Sequence, residues 1–175
     1  MMTEKRQGNL ILVGFMGTGK TSTGKICAER LGRTFLDMDD ELVRRAGRTI
    51  PEIFAGEGEA AFRAMERSLV RELAQRQDLV IAPGGGIVLN PDNVRDFEAT
   101  GTVICLTASP EWILKRVGSD TNRPLLQVED KLGKIRDLLE KRKPLYDAIP
   151  RQLDTDGQTP AEVAERVLAV FSAQA

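Results

Sequence analysis

The chain contains no histidine, and only two of its 175 residues are cysteines. Histidine triads, histidine metal ligands and imidazole general bases are therefore excluded. Cys27 and Cys105 are too few for a disulfide framework or a cysteine metal site. We expect both thiols to be small buried side chains, one on a helix and one on a strand. Any proton transfer must use carboxylates, lysine or water.

The chain also lacks long hydrophobic runs and a marked excess of charge of one sign. No apolar run approaches the ~18 residues of a membrane-spanning helix, and the first residues lead into a strand pattern rather than into the apolar part of a signal peptide. The formal net charge of −1 gives no electrostatic reason to bind nucleic acid or an anionic membrane. We therefore expect a cytoplasmic protein, monomeric, with neither of these partners.

The length suits a single domain over residues 1–175, and the 41% hydrophobic and 29% charged fractions are typical of a globular protein. Helical patterns alternate with apolar, strand-like runs at residues 10–13, 34–36, 79–82, 102–106 and 151–153. This alternation predicts an α/β fold with a parallel sheet that helices cover on both faces. Two segments, 39–76 and 117–128, interrupt the alternation and suit a substrate-binding insertion and a mobile lid.

Residues 14–21 read GFMGTGKT and fit the pattern G-x-x-x-x-G-K-[ST], directly after an apolar run. The glycines allow a tight turn with its N–H groups pointing inward, Lys20 adds a charge for the β- and γ-phosphates, and Thr21 offers a hydroxyl to Mg²⁺. A glycine-rich turn with no ligand is the alternative. However, a helical pattern follows from Lys20 to Leu31, and strand, loop and helix in this order favour phosphate binding. The sequence therefore predicts a nucleoside triphosphate as ligand.

Two aspartates follow the second strand pattern. Asp37 and Asp39 come directly after TFL at residues 34–36, at the sheet edge where open α/β proteins bind ligands. In an extended chain, alternation would place both carboxylates on one side. One could then face Mg²⁺ and the other a substrate hydroxyl. Helix capping by acidic residues is the alternative, and it would be preferred without the neighbouring P-loop.

Three further groups could bind an anionic or hydroxylated substrate. Arg63 borders an apolar helical stripe, and Glu66 lies near enough to orient its guanidinium for two parallel bonds to a carboxylate. Taken alone, a solvated surface ion pair would be preferred. The triple glycine at residues 84–86 follows the third strand pattern and exposes N–H groups to a ligand, with a flexible turn as the alternative. Individually, three more arginines read as surface residues: Arg116, Arg123 and Arg142.

The order of these motifs decides between the alternatives. A P-loop, D-x-D, F-R-x-x-E, G-G-G, R-x6-R-P and E-x-R-x-P-L-Y follow one another along the chain. This combination closely resembles the shikimate kinase family, from residue 10 to about residue 154. One departure is visible at Ala82-Pro83, where the family commonly has Ser or Thr before the triple glycine.

The resemblance implies a nucleoside-monophosphate-kinase-like P-loop fold. This fold is a three-layer α/β/α sandwich around a five-stranded parallel sheet, with a substrate-binding segment near residues 38–66 and a lid near 117–128. The resemblance also implies transfer of the γ-phosphoryl group of ATP to the 3-hydroxyl of shikimate, with Mg²⁺, on the way to chorismate and the aromatic amino acids.

The site residues that the resemblance implies fall into four groups. ATP would be bound by Gly17, Thr18, Gly19, Lys20, Thr21, Ser22, Arg116 and Arg123. The metal would be held by Thr21 and Asp37, and shikimate by Asp39, Arg63, Gly84, Gly85, Gly86 and Arg142. The catalytic residues would be Lys20, Asp37, Asp39 and Arg123. Arg116 would stack on adenine and Arg123 would arrive with the lid, while the choice between the two aspartates as proton acceptor stays open.

Other functions remain to be weighed. The first is a different small-molecule kinase, for gluconate or a nucleoside monophosphate. A kinase for a neutral sugar would not need the Arg63 and Arg142 pair. A kinase for a nucleotide acceptor would need base-specific contacts, which are not identifiable in the sequence. A GTP-dependent switch should carry N-K-x-D, which the sequence lacks. A nucleotide-binding protein without catalysis is the third, and ADP release with and without shikimate would separate it from a kinase.

Overall fold

The computed structural model describes residues 8–117, 126 and 128–174. Its strands are β1 Asn9–Gly14, β2 Thr34–Asp37, β3 Leu79–Ala82, β4 Gly101–Thr107 and β5 Gln152–Asp154. Its helices are α1 Lys20–Leu31, α2 Met38–Ala46, α3 Ile50–Glu57, α4 Glu59–Leu73, α5 Pro91–Thr100, α6 Pro110–Val117, α7 Lys131–Asp147 and α8 Pro160–Ser172. A short 3₁₀ turn, Ile87–Leu89, follows the triple glycine.

The five strands form one parallel sheet in the order β2-β3-β1-β4-β5. All six residues of β1 are buried, because the run NLILVG lies at the centre of the sheet and is covered on both faces. The predicted α/β fold with five parallel strands is therefore confirmed. Within the described part of the chain, no helix has the length and apolar character needed to cross a bilayer.

Two hydrophobic layers lie on opposite faces of the sheet, since successive residues of β1 point to opposite sides. Leu10 and Leu12 pack with residues of α1 and α8. Ile11 and Val13 pack with residues of α2, α4, α5 and α7. Cys27 and Cys105 are buried, one in each layer, as expected from the sequence. The sheet and these two layers make up the predicted sandwich.

The helix boundaries follow the local signals in the sequence. Asn90 and Thr159 accept hydrogen bonds from backbone N–H groups in the first turns of α5 and α8, each with proline at the first helical position. Gly32 ends α1 in the left-handed region, with φ of 65°. Segment 39–76, which interrupts the strand–helix alternation, is itself largely helical. Most of the expected lid, residues 118–125 and 127, lies outside the described residues, and Arg123 with it.

Candidate active site

A phosphate-binding cradle is formed where β1 turns into α1. Gly17 and Gly19 have positive φ angles of 77° and 88°, a conformation that favours glycine. Lys20 begins α1, and its Nζ donates to the carbonyl oxygens of Gly14 at 2.6 Å and Phe15 at 3.1 Å. The first turn of α1 contains no acidic residue, so the positive end of the helix dipole is left for an anion.

A cleft of about 250 Å³ opens at this cradle. It brings together most of the nucleotide-site residues predicted from the sequence, and it is lined by Gly17, Gly19, Lys20, Thr21, Ser22, Asp37, Asp39, Pro83, Gly84, Gly85, Arg116 and Val117. Pro83 and Val117 were not predicted. Thr18 is not among these lining residues, and its buried hydroxyl donates to the Phe15 carbonyl at 2.8 Å.

Thr21 and Asp37 meet inside the cleft, where the Thr21 hydroxyl donates to Asp37 Oδ2 at 2.6 Å. Asp37 Oδ1 accepts from the backbone N–H of Asp40 at 3.0 Å, so this carboxylate caps α2 as well. The capping alternative and the functional interpretation are thus compatible. The extended-chain argument for Asp39 is wrong, because α2 begins at Met38 and Asp39 lies in its first turn. Asp39 lines the cleft even so, since α2 begins at the sheet edge.

The donors at this point fit Mg²⁺. This ion prefers hard oxygen ligands and is usually held by one or two protein side chains plus phosphates and water. Thr21 and Asp37 supply a hydroxyl and a carboxylate, 2.6 Å apart, beside the phosphate cradle. In the described residues there is no group of three or more acidic, histidine or cysteine ligands. A metal here would therefore need phosphate oxygens and water to complete its coordination.

Arg63 is held by two carboxylates. Its Nη1 donates to Glu66 Oε1 at 2.7 Å and its Nη2 to Glu59 Oε1 at 3.3 Å. Glu66 is only 1% exposed, so its pair with Arg63 is largely buried, whereas the pair with Glu59 lies at the surface. Burial raises the pKa of the Glu66 carboxyl, while the charge of Arg63 acts in the opposite direction. A buried pair of this kind holds the guanidinium in one orientation.

The triple-glycine turn packs against these groups. A Cβ on Gly84 would lie 2.7 Å from Asp39 Oδ1 and 3.2 Å from Glu66 Oε2, and one on Gly86 would overlap the Arg63 guanidinium. Any larger residue at either position would displace a polar side chain. The turn is therefore in direct contact with Asp39, Glu66 and Arg63, which the sequence had placed in two separate motifs.

Arg142 reaches the same turn from α7. It is 3% exposed, its Nη1 donates to the Gly85 carbonyl at 3.3 Å, and its guanidinium carbon lies 5.5 Å from the centroid of the Phe15 ring. Tyr146 donates to the same carbonyl at 2.6 Å. Phe15 and Tyr146 were not predicted as site residues. The sequence features that could have identified them are their positions, Phe15 inside the P-loop and Tyr146 at the end of E-x-R-x-P-L-Y.

Arg116 lies over an aromatic ring at the other side of the P-loop. Its guanidinium carbon is 5.1 Å from the centroid of the Trp112 ring, and a Cβ on Gly19 would lie 2.7 Å from Arg116 Nη1. Trp112 was missed from the sequence, although it precedes Arg116 by one helical turn, the spacing at which side chains meet. The ring therefore helps to hold the arginine at the nucleotide cleft.

We expect Trp112→Leu to weaken ATP binding by about 2- to 5-fold, because a cation over the half-buried Trp112 indole should contribute about 0.5–1 kcal/mol, the lower end of the range for such pairs. The affinity for the second substrate should change by less. Titration calorimetry with ATP measures the effect, and Trp112→Phe is the matched control that keeps an aromatic face. Equal ATP affinity in the leucine variant and the parent would mean that the ring does not position Arg116.

Comparisons with known proteins identify the family and the fold. A sequence model of the family described as shikimate kinase matches residues 16–172. The shikimate kinase of Thermodesulfovibrio yellowstonii is 44% identical over 163 residues, which cover 93% of this chain and 94% of that protein. The structure described as shikimate kinase from Acinetobacter baumannii in complex with shikimate superposes with a TM-score of 0.92 at 41% identity, covering 96% of this chain and 94% of that one.

A gluconokinase structure from Sinorhizobium meliloti is also similar, with a TM-score of 0.66 at 18% identity over 98% of this chain and 95% of that one. At that identity the likeness shows a shared fold and nothing further, so it does not favour the gluconate alternative. The family match extends over most of the length, and the identity to named relatives is high. The chain therefore belongs to the shikimate kinase family.

Proposed function

We propose that this chain transfers the γ-phosphoryl group of ATP to the 3-hydroxyl of shikimate in the cleft between the P-loop and the triple-glycine turn. ATP-dependent phosphorylation of shikimate is the activity of the family to which it belongs. One observation carries the residue-level proposal. Asp39 and Gly84 line the phosphate cleft, and Gly84 also packs against Glu66, the partner of Arg63, so donor and acceptor sites adjoin.

At the phosphate end, the P-loop N–H groups and Lys20 would bind the β- and γ-phosphates. The carbonyls that now accept from Lys20 keep its ammonium beside the cradle. Because the transferring group carries negative charge on its outer oxygens, a fixed cation stabilises the transition state more than the ground state. Mg²⁺, held by Thr21 and Asp37, would supply further charge neutralisation when bound.

The metal shell differs in one respect from the pattern common in the family. Pro83 lines the cleft immediately before Gly84, and neither it nor Ala82 has a hydroxyl. The triple-glycine turn therefore offers no side-chain hydroxyl to the hydration shell of Mg²⁺. We infer that water or a backbone carbonyl takes this place.

At the acceptor end, Arg63 and Arg142 would bind the shikimate carboxylate. The two guanidinium groups reach neighbouring glycines of one turn, Gly86 and Gly85, and a carboxylate can accept from both. The buried Glu66 fixes Arg63. Asp39 then faces the acceptor hydroxyl, orients it and accepts its proton, while the Gly84 to Gly86 backbone completes the pocket.

The remaining assignments are proposals of the same kind. Residues 38–66, which comprise α2, α3 and the start of α4, form the acceptor-binding segment. Arg116 stacks on adenine, and Arg123 arrives with a lid near 117–128. A single chain supplies both halves of the cleft, in keeping with a monomer. ATP and shikimate are the small-molecule partners, and a cytoplasmic location, where ATP is available, stays the expectation.

The test is a steady-state assay of ADP release across a panel of acceptors. We expect turnover with shikimate and none above background with gluconate, nucleoside monophosphates or water. Phosphorus NMR of the product identifies the esterified hydroxyl. Turnover with gluconate or a nucleotide that exceeds turnover with shikimate would overturn the proposal.

We expect different outcomes for the two aspartates. Asp39→Asn should lower kcat by about 100-fold or more, because both orientation and proton acceptance are lost. The kcat of Asp37→Asn should be partly restored at raised Mg²⁺, because this substitution weakens the coordination of the metal. Magnesium titrations of kcat separate the two, with Asp40→Asn, an exposed neighbour on α2, as control. Equal losses that Mg²⁺ does not change would mean that the roles are wrongly divided.

A further inference from the structure

Tyr146 is the single tyrosine of the chain and has no role in the mechanism above. Its side chain is 6% exposed, and its hydroxyl donates to the carbonyl oxygen of Gly85 at 2.6 Å. Arg142 donates to the same oxygen at 3.3 Å. One backbone carbonyl thus receives two donors from α7, four residues and about one helical turn apart.

The two hydrogen bonds differ in strength. A distance of 2.6 Å is short for an O–H donor, whereas 3.3 Å is beyond the usual range for an N–H donor. Arg142 is therefore only weakly bound to the turn. If its guanidinium is taken by a carboxylate, the Gly85 oxygen is still satisfied by Tyr146, and no buried acceptor is left without a donor.

The carbonyl that Tyr146 holds belongs to a closely packed part of the turn. A Cβ on Gly85 would lie 2.9 Å from the backbone nitrogen of Met16, which is part of the P-loop. Neighbouring Gly84 and Gly86 touch the acceptor-site side chains. A displacement of Gly85 would thus alter both the ATP site and the shikimate site. The Tyr146 hydroxyl is one of the groups that prevent this displacement.

We propose that Tyr146 is a positioning residue, whose hydroxyl keeps the Gly85 carbonyl satisfied so that Arg142 can leave it for the acceptor carboxylate. This inference rests on the proposed function. Burial raises the pKa of the Tyr146 hydroxyl above its usual range, with Arg142 acting in the opposite direction. The phenol therefore stays a neutral donor throughout the pH range in which a kinase assay is run.

The first test is Tyr146→Phe, which keeps the ring and removes the donor. In this variant Arg142 is the remaining side-chain donor to Gly85 among the described residues, and shikimate binding must break its bond. We expect the dissociation constant of shikimate to rise by about 5- to 10-fold, since a buried acceptor is then left unpaired. The affinity for ATP should change by less than about 2-fold. The fold-change in kcat should be smaller than the fold-change in the dissociation constant of shikimate.

A double variant separates positioning from general loosening. With Arg142→Ala as background, no guanidinium has to be released, and the Gly85 carbonyl is in the same state before and after shikimate binds. Tyr146→Phe should therefore change the shikimate affinity by less than about 2-fold there. Gln152→Leu is the matched control for stability, because it removes donors to the carbonyls of Tyr146 and Ile149 at the end of α7 without touching Gly85. It should lower the melting temperature and leave shikimate affinity unchanged.

A measurement on the unmutated sequence covers the case in which Tyr146→Phe does not fold. Growth on 3-fluorotyrosine labels one site, since the chain has one tyrosine. We expect the fluorine resonance to shift when shikimate saturates the enzyme and to shift less with ATP alone. Any one of three results would overturn the inference. The first is a fluorine resonance that shikimate does not shift, and the second is an equal loss of ATP and shikimate affinity in Tyr146→Phe. The third is that Tyr146→Phe lowers shikimate affinity as much in the Arg142→Ala background as in the parent. A parent enzyme without shikimate turnover would instead overturn the proposed function.

Discussion

Lys20→Ala is expected to lower kcat by about 100- to 1000-fold, the range measured when one preorganised donor to transition-state charge is removed. The fold should persist, because Lys20 lies on the first turn of α1 and its ammonium donates to carbonyls of the P-loop itself, those of Gly14 and Phe15. The ammonium contributes most when negative charge builds on the moving phosphoryl group. The loss should therefore fall on kcat more than on the Michaelis constant for ATP.

Single-turnover kinetics under saturating ATP measure this effect directly. Lys25→Ala is the control, since Lys25 is an exposed lysine on the same helix. Its substitution removes the same charge at a position away from the cleft. A folded Lys20→Ala enzyme with nearly normal kcat would remove this residue from the mechanism. A loss confined to ATP affinity would reduce its role to ground-state binding.

The second large effect concerns the carboxylate clamp. Arg63→Ala and Arg142→Ala should each cost about 2–5 kcal/mol in kcat/KM for shikimate, because a charged partner is left without its bonds in a closed cleft. ATP binding should stay nearly intact. The two losses should not add, since both guanidinium groups serve one carboxylate. Arg142→Ala is the cleaner variant, because Arg63→Ala also leaves the buried Glu66 without its 2.7 Å partner.

Shikimate with a neutral amide in place of its carboxylate supplies the complementary measurement. The parent enzyme should use the amide much less well than the acid, and neither arginine variant should lower amide turnover much further. Arg67→Ala serves as the control on α4, because Arg67 follows Arg63 by one turn but pairs with Asp96 at 2.7 Å. A parent enzyme that phosphorylates acid and amide equally well would show that no such clamp exists.

The parts of the site that lie within one short segment could be predicted from the sequence. The P-loop is one such part, since its glycines, Lys20 and Thr21 are adjacent along the chain and their turn is defined by local backbone conformation. The strand pattern and the caps at Asn90 and Thr159 are equally local. The α/β fold with five parallel strands followed from the alternation of elements together with the family resemblance, whereas the order of the strands in the sheet came only from the structure.

Predictions that depended on distant contacts were less complete. Asp39 lines the cleft, but the geometric reason given for expecting it there was wrong, because the start of a helix at Met38 was not anticipated. The 1% exposure of Glu66 and the 3% exposure of Arg142 could not be inferred, since charged residues on amphipathic helices are usually solvated. Trp112 and Tyr146 were not identified. The spacing of Trp112 from Arg116 was visible in the sequence, but the bond from Tyr146 to Gly85 joins residues 61 positions apart and needed the tertiary structure.

The sequence by itself determined the phosphate cradle, the strand–helix order and the family, because these depend on residues near one another along the chain and on the order of motifs. Tertiary structure decided which side chains share a surface. It brought Gly85 of the triple-glycine turn against Met16 of the P-loop and placed α7 so that Arg142 and Tyr146 reach one carbonyl oxygen. The physical reason is that hydrogen bonds and desolvation act over a few ångströms. They become definite only when the packing of the sheet and its helices fixes the distances between segments that are far apart in sequence.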